Sequence, residues 1–397
     1  MISRITIFYA TLGTGHKAAA EALRDWILKE HPQIEVLCRN VLDYIPSWMS
    51  YIIAQCYLIM ARNAPDVWGK LYRDTDRVYK RQSLWGFIHE TICKLYLRKL
   101  LKELHDFDPQ LILATHFFGM APLSLSKENH LPLFYVNTDF LSHTLQRCPS
   151  FSGWYVGGEP SVRQYQADGL ASGVRCFGIP VAPVYACLPS REECREQLEL
   201  DCERPVVLLL GGGIGAGALE RIADSFLDYP QIQVVIICGN HHRLRGKLRD
   251  KYYPFRQIRV EGFVNCMPQY YRSCDLAVSK AGGLSLAEAL SAGVPLLLMD
   301  SLPGQEQYNS DYLLENGAAF RLYENRRAGE YVTEILSDGE KLECVKRKAM
   351  ALGRPFAGRD ITQDVIGRVN EGVLEELIEE ERRRQPQTVE TLQWDKL

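Results

Sequence analysis

Apolar residues fall along this chain in short continuous runs. The first is Ile5-Thr6-Ile7-Phe8-Tyr9-Ala10, and others occupy 34–38, 111–115, 131–137, 206–210, 233–238, 257–262, 276–279, 295–299 and 319–322. Unbroken Val, Ile and Leu runs of this length predict strands buried on both faces, as in parallel sheets covered by helices. Stretches with helical spacing separate them, the alanine-rich 17–29 foremost. The alternation begins twice. A strand runs into Thr11-Leu12-Gly13-Thr14-Gly15-His16 near the start, and another runs into Gly211-Gly212-Gly213-Ile214-Gly215-Ala216-Gly217 at mid-chain. This predicts an α/β protein of two doubly wound domains in sequence.

The change-over falls among Pro180, Pro183, Pro189 and Pro205, around a charged helix over 191–199. The expected division is an N-terminal domain over 1–180, a linker over 181–204 and a C-terminal domain over 205–370. A charged helix and polar tail over 371–397 either frays into solvent or crosses back onto the N-terminal domain.

Composition narrows the function. A chain of 397 residues can bury two cores. A net charge of −3 argues against a nucleic-acid partner. Twelve cysteines without CxxC pairs read as reduced, buried thiols, not as a disulfide framework or a zinc site. The chain opens on a strand without a signal-peptide layout, so the expected location is cytoplasmic. The apolar stretch 44–60 is broken by Pro46, Ser47, Ser50 and Gln55, too interrupted for a bilayer span. From Trp48 to Arg98, Trp, Tyr and Leu interleave with Lys and Arg. That pattern fits a helical core layer with a solvated basic face, or a surface lying on anionic lipid.

The candidate chemistry is densest in the second half. In Ser279-Lys280-Ala281-Gly282-Gly283-Leu284-Ser285, a glycine turn opens a helix. Unpaired amides and the helix dipole there suit a diphosphate. Glu288, about one turn on, can accept from two ribose hydroxyls. Gln305 and Glu306, after the turn signal Pro303-Gly304, can grip sugar hydroxyls or cap their own helix. One nucleotide-sugar would need all three kinds of group. The 211–217 loop lacks the Lys-Ser/Thr of a P-loop, which argues against ATP hydrolysis. In the first half, Gly13, Gly15 and His16 form a weaker motif. Residue 18 is Ala where a dinucleotide fingerprint wants glycine. His16 as a neutral imidazole suits a general base, and Asp139 after strand 131–137 could orient it, act as the base, or only cap a turn. His143 reads as a loop histidine, and His116, directly after strand 111–115, as a loop histidine or a second group lining the same mouth. No DxD pair follows a strand, so no metal is expected. Leaving-group charge would fall to glycine amides, helped by Lys280 or Arg243.

Taken in order, Gly211-Gly212-Gly213, Gly262-Phe263-Val264, Ser279 to Gly283, Glu288-Ala289 and Pro303-Gly304-Gln305-Glu306-Gln307-Tyr308-Asn309 resemble glycosyltransferase family 28. Gly13-Thr14-Gly15-His16-Lys17-Ala18-Ala19-Ala20-Glu21-Ala22 and Asn137-Thr138-Asp139-Phe140, with His143 shortly after, resemble its monogalactosyldiacylglycerol synthase and processive diacylglycerol glucosyltransferase branch. The chain departs at Leu12-Gly13-Thr14-Gly15, where plant members carry a purer glycine run. The resemblance extends to about Gly372. It implies a GT-B fold, two Rossmann-like domains facing a cleft, and inverting transfer of a hexose from a UDP-sugar to diacylglycerol at the inner face of a membrane. The protein would be peripheral on an anionic surface. The implied donor contacts are Gly211, Gly212, Gly213, Phe263 and Val264 (at uracil), Ser279, Gly282, Gly283, Leu284, Ser285, Glu288, Gly304, Gln305, Glu306 and Asn309. His16 and Asp139 are the implied catalytic groups, and the UDP-sugar is a substrate, with no cofactor besides. The rivals are transfer to another lipid-linked or soluble acceptor, a nucleotide-sugar-binding regulator without turnover, and a nicotinamide-dependent oxidoreductase.

Overall fold

The apolar runs form two parallel sheets of six strands each. The structure, a computed structural model, describes residues 2–11, 13–52, 69–70, 97–124, 126, 129–211, 219–300 and 303–371. Gly212 and Gly213, most of the aromatic and basic stretch, and the tail from 372 lie outside the described residues.

The first sheet holds β1 (Arg4–Tyr9), β2 (Glu35–Asn40), β3 (Leu111–Ala114), β4 (Leu133–Val136), β5 (Gly153–Tyr155) and β6 (Val174–Arg175), in the order β2-β1-β3-β4-β5-β6. The second holds β7 (Val206–Leu210), β8 (Gln233–Ile237), β9 (Ile258–Glu261), β10 (Leu276–Ser279), β11 (Leu296–Leu298) and β12 (Ala319–Arg321), in the order β12-β11-β10-β7-β8-β9. Strand side chains alternate between faces, so each sheet carries two cores. Phe8, Ile112, Tyr135 and Trp154 fill one face of the first sheet, and Ile5, Ile7, Leu111 and Phe134 the other. Leu208, Leu210, Val235 and Ala277 line one face of the second, and Val207, Leu209, Ile236 and Val278 the other. Strands β5 and β6 were not expected. At three and two residues they are too short to show as apolar runs.

Each order reverses once, between β1 and β3 in the first sheet and between β7 and β10 in the second. At such a switch point the loops leaving adjacent strands diverge and open a crevice at the strands' carboxyl ends. Four helices position what lies there: α1 (Gly15–Glu30), α2 (Gly283–Ser291), α3 (Gln305–Glu315) and α4 (Ala357–Asn370).

Helix α4 corrects the sequence reading. It falls in the range expected for the C-terminal domain, yet its apolar face, Ile361, Val365 and Ile366, joins the core of the first sheet. Gly358 lies so close to α1 that a Cβ there would come 2.3 Å from Trp26 Cδ1. Asn370 Oδ1 accepts from the Ile2 amide at 3.1 Å, and Tyr155 donates to Asp364 at 2.7 Å. The chain therefore crosses back within 357–370, ahead of residue 371. In the linker, Val181 and Tyr185 enter the C-terminal core, and the Val181 carbonyl accepts from Trp26 Nε1 at 2.9 Å. The charged linker helix covers Arg191–Gln197 and stops short of 199, where Glu199 takes a positive φ of 53°.

Candidate active site

The N-terminal crevice opens between β1 and β3. Its floor is His16, in the first turn of α1, and Thr115 and His116, directly after β3. His16 Nδ1 is 2.8 Å from the Thr115 carbonyl oxygen and 3.0 Å from Thr138 Oγ1. A carbonyl only accepts, so Nδ1 carries the proton and Nε2 keeps its lone pair. Thr115 Oγ1 donates to the His16 carbonyl at 2.8 Å, which ties α1 to the end of β3. Burial disfavours the imidazolium and pulls the His16 pKa down to about 4, so the ring is neutral at ordinary pH.

His116, for which the sequence left a loop role or a place at this mouth open, belongs to this crevice. Its ring meets that of His16 edge to face, with centroids 4.6 Å apart. Its Nδ1 accepts from the Phe118 amide at 3.0 Å. Burial, with His16 beside it, holds its pKa well below the usual imidazole value. The available signal was its place immediately after the strand that faces β1 across the switch point. His143 instead caps the short helix Thr144–Gln146, a structural task.

Asp139 is brought to the mouth but not to His16. Its Oδ1 accepts from Asn309 Nδ2 at 2.8 Å and its Oδ2 from Gln305 Nε2 at 3.0 Å, both from α3 of the opposite domain. The expectation that Asp139 orients His16 gives way, because Thr115 and Thr138 hold that ring. Burial pushes the Asp139 carboxyl up to about 6, against the pull of the Asn309 bond, with Glu306 nearby raising it further.

The C-terminal crevice opens between β7 and β10. Gly211 is buried at the end of β7. Beyond β10, Ser279 Oγ turns back onto the Lys280 carbonyl at 2.9 Å, and Gly282 caps α2 without a side chain. The N-cap residue therefore offers no side chain to the first amides of α2. Gly283 must be glycine, since a Cβ would stand 2.0 Å from the Thr138 carbonyl oxygen and 2.8 Å from Asp139 Oδ1. A Cβ placed on Gly15 would stand 3.6 Å from Leu284 Cβ, so the starts of α1 and α2 confront each other across the cleft.

Glu288 lies in the second turn of α2, half-buried, facing Tyr185 of the linker and Tyr271. Burial pushes its pKa up to about 7, against the pull of the Tyr185 hydroxyl beside it. Gly304 starts α3 with φ 109°, a conformation open to glycine. Glu306 is paired with Lys280 at 3.0 Å. Lys280, expected beside the diphosphate, is thus already committed to a carboxylate. Arg243 is exposed on the helix His242–Tyr252. Its neighbour Arg245 is the residue laid against Gly262, its Cδ 3.2 Å from the place of a Cβ there. Among the described residues Arg245 Nε is buried without a hydrogen bond, a cation that sequence reasoning missed. Phe263 is 62% exposed while Val264 packs on the core. Asn309, expected at the donor, is buried and turned to the other domain, accepting from the Phe140 amide at 3.0 Å. Among the described residues, no three His, Cys, Asp or Glu gather as metal ligands, and no helix is long and apolar enough to cross a membrane.

A neutral base in one crevice thus faces an amide-rich helix start in the other, an arrangement fit to transfer a group from an anionic leaving group to a hydroxyl. Comparison with known proteins agrees with that chemistry. Residues 16–181 match the family model for monogalactosyldiacylglycerol (MGDG) synthase, and residues 206–359 match the glycosyltransferase family 28 C-terminal domain. The chain is 27% identical over 388 residues to monogalactosyldiacylglycerol synthase 3, chloroplastic, of Arabidopsis thaliana, covering 92% of this chain and 81% of the relative. It is 25% identical over 372 residues to the processive diacylglycerol beta-glucosyltransferase of Bacillus pumilus, covering 91% and 94%. Among solved structures, MurG of Acinetobacter baumannii superposes with a TM-score of 0.57 at 16% identity, over 91% of this chain and 98% of that one. Anabaena HepE in complex with UDP superposes with a TM-score of 0.56 at 16% identity, over 93% and 100%. At those identities the structures speak for the fold alone, which is GT-B.

Proposed function

The chain belongs to glycosyltransferase family 28, in the branch of the monogalactosyldiacylglycerol synthases and diacylglycerol glucosyltransferases, and from that premise we propose that it moves a hexose from a UDP-sugar to diacylglycerol with inversion at the anomeric carbon. The donor lies in the C-terminal crevice. Its diphosphate meets Gly211 and the amides of Gly282, Gly283, Leu284 and Ser285, its ribose hydroxyls meet Glu288, and its hexose meets Gln305 and Glu306. Diacylglycerol reaches the mouth beside α1. Its hydroxyl oxygen attacks the anomeric carbon while His16 Nε2 takes the hydroxyl proton, and the bond from that carbon to the UDP oxygen breaks. Charge growing on the β-phosphate falls on the α2 amides, and Arg245 is the cation at hand beyond them. The imidazolium left on His16 keeps its Nδ1–H on the Thr115 carbonyl. Exposed Trp48, Tyr51 and Ile52, at the start of the aromatic and basic stretch, support access to a lipid surface.

One observation carries the reading: the Thr115 carbonyl fixes the proton of His16 on Nδ1 and leaves Nε2 basic, one residue from where α1 and α2 meet. The test incubates the protein with diacylglycerol vesicles and, separately, UDP-glucose and UDP-galactose, and looks for glycolipid by mass spectrometry. Wild type forms it, and His16→Ala forms none while still binding the UDP-sugar in a calorimeter. Product only on polyprenyl or soluble acceptors would move the reading to a rival transferase. Donor binding by wild type without any product would move it to a regulator.

A further inference from the structure

We propose that Asp139, although it belongs to the N-terminal domain, is a positioning residue for recognition of the donor hexose, acting on Gln305 with Asn309 as its anchor. This rests on the assignment of Gln305 to the hexose made above. The two carboxylate oxygens are divided between two amide donors of one helix. Oδ2 takes Gln305 Nε2 at 3.0 Å and Oδ1 takes Asn309 Nδ2 at 2.8 Å. An ionised carboxylate only accepts, so Gln305 must turn its NH2 toward Asp139 and its carbonyl oxygen away. The amide thereby presents its carbonyl oxygen, an acceptor, to the cleft, while one N–H of its NH2 is spent on Asp139. A hexose hydroxyl that donates there is matched, and an epimer placing no hydroxyl within reach leaves a desolvated carbonyl unpaired.

The surroundings hold the carboxylate in register. Asn309 is buried and its NH2 also reaches the Ala281 carbonyl at 3.1 Å, while its Oδ1 takes the Phe140 amide. Asn137 Oδ1 accepts from the Asp139 amide at 3.2 Å. A Cβ on Gly157 would stand 2.6 Å from the Asp139 carbonyl oxygen, so the bend that follows β5 leaves no slack. The neighbouring sugar-facing residue is steadied in the same manner, Glu306 by Lys280. With one amide donor on each oxygen, the carboxylate is held in the plane that aims Gln305.

The experiment compares wild type, Asp139→Asn, Gln305→Glu and the double variant, with UDP-glucose and UDP-galactose as donors. Asp139→Asn is expected to raise the donor KM by about tenfold and to narrow the preference between the two epimers, with kcat within about threefold and the acid limb of the pH profile unmoved. Gln305→Glu sets two carboxylates face to face and raises the donor KM by at least about tenfold. In the double variant the amide introduced at 139 donates to the carboxylate introduced at 305, which still shows an acceptor to the cleft, and KM returns to within about threefold of wild type. A double variant no better than its parents overturns the proposal. So does an Asp139→Asn enzyme that loses kcat by about a hundredfold at unchanged KM with a shifted acid limb, for then Asp139 is an acid–base group. Calorimetric affinities for the two donors follow the same order without turnover. Failure of lipid transfer in wild type therefore counts against the acceptor assignment and leaves this test standing.

Discussion

Two crevices of the same topological kind do different work in this molecule. The N-terminal one is furnished with side chains: His16, His116 and Thr115 crowd the space between β1 and β3, and burial drives both imidazoles neutral. The C-terminal one is furnished with backbone: Gly211, Gly282 and Gly283 strip side chains from the space between β7 and β10 and leave amides. A switch point supplies a place and not a chemistry. Whether it becomes a basic site or an anion site depends on whether the loops there carry side chains or glycine.

The hardest test of that contrast is to empty the first crevice. His16→Gln keeps a polar group near the Thr115 carbonyl but removes the proposed base, so turnover should fall by about 10²- to 10⁴-fold while donor affinity changes by less than about threefold. Steady-state transfer rates and a donor titration measure the two quantities. If donor affinity collapsed with the rate, the crevices would be one site and the contrast would fail.

Filling the second crevice is the converse test. A methyl on Gly283 has no room, with the Thr138 carbonyl at 2.0 Å. Gly283→Ala should force α2 away from the N-terminal domain, cost about 1–3 kcal/mol of stability and cut turnover by about tenfold or more. Thermal melts and transfer rates report both. An unchanged melting temperature would mean that the domains do not meet as described.

How much of this was legible beforehand follows the range of the interactions. Strand runs and glycine turns are local patterns, and the two-domain architecture and both crevices could be read from them. Strands β5 and β6 could not, because Gly153-Trp154-Tyr155 and a dipeptide make no run. The amphipathic face of α4 shows that it buries something, not that its partner is the first sheet. The partners of Asp139 lie more than 160 residues away in sequence, so its reach across the cleft left no trace in local spacing. Lys280 looked like a phosphate ligand for the same reason, since the carboxylate that engages it is 26 residues on.

Acidity should separate the crevices by a milder effect. The Glu288 pKa is raised to about 7, so its ionised form, the one proposed to accept from the ribose hydroxyls, declines as pH falls through 7. The His16 pKa is lowered to about 4, so that imidazole stays unprotonated across the same range. Donor KM should rise as pH drops from about 8 to 6, by several-fold per unit once below 7, while kcat stays level until pH nears 4–5. Glu288→Gln should flatten the KM profile at a uniformly higher value. A kcat that falls with the same midpoint near 7 would place the titrating group on the reacting hydroxyl instead.

The smallest effect is expected next door to the largest. Lys17 follows His16 in the chain, within the Gly13 to Ala22 motif, and a cation at the mouth could in principle serve a diphosphate. The structure turns it outward: its side chain is half exposed, and its ion pair with Glu21, at 3.6 Å, spans one helical turn on the solvent side. Pairs of that kind contribute about 0.3–0.5 kcal/mol. Its position near the start of α1 also sets a positive charge against the positive end of the helix dipole, so its loss removes a small unfavourable contribution as well. Lys17→Ala should therefore shift stability by less than about 0.5 kcal/mol and leave both kcat and donor KM within about twofold. A loss of tenfold or more in kcat/KM would show that the first crevice also works by fixed positive charge, which the contrast drawn between the two reserves for the second.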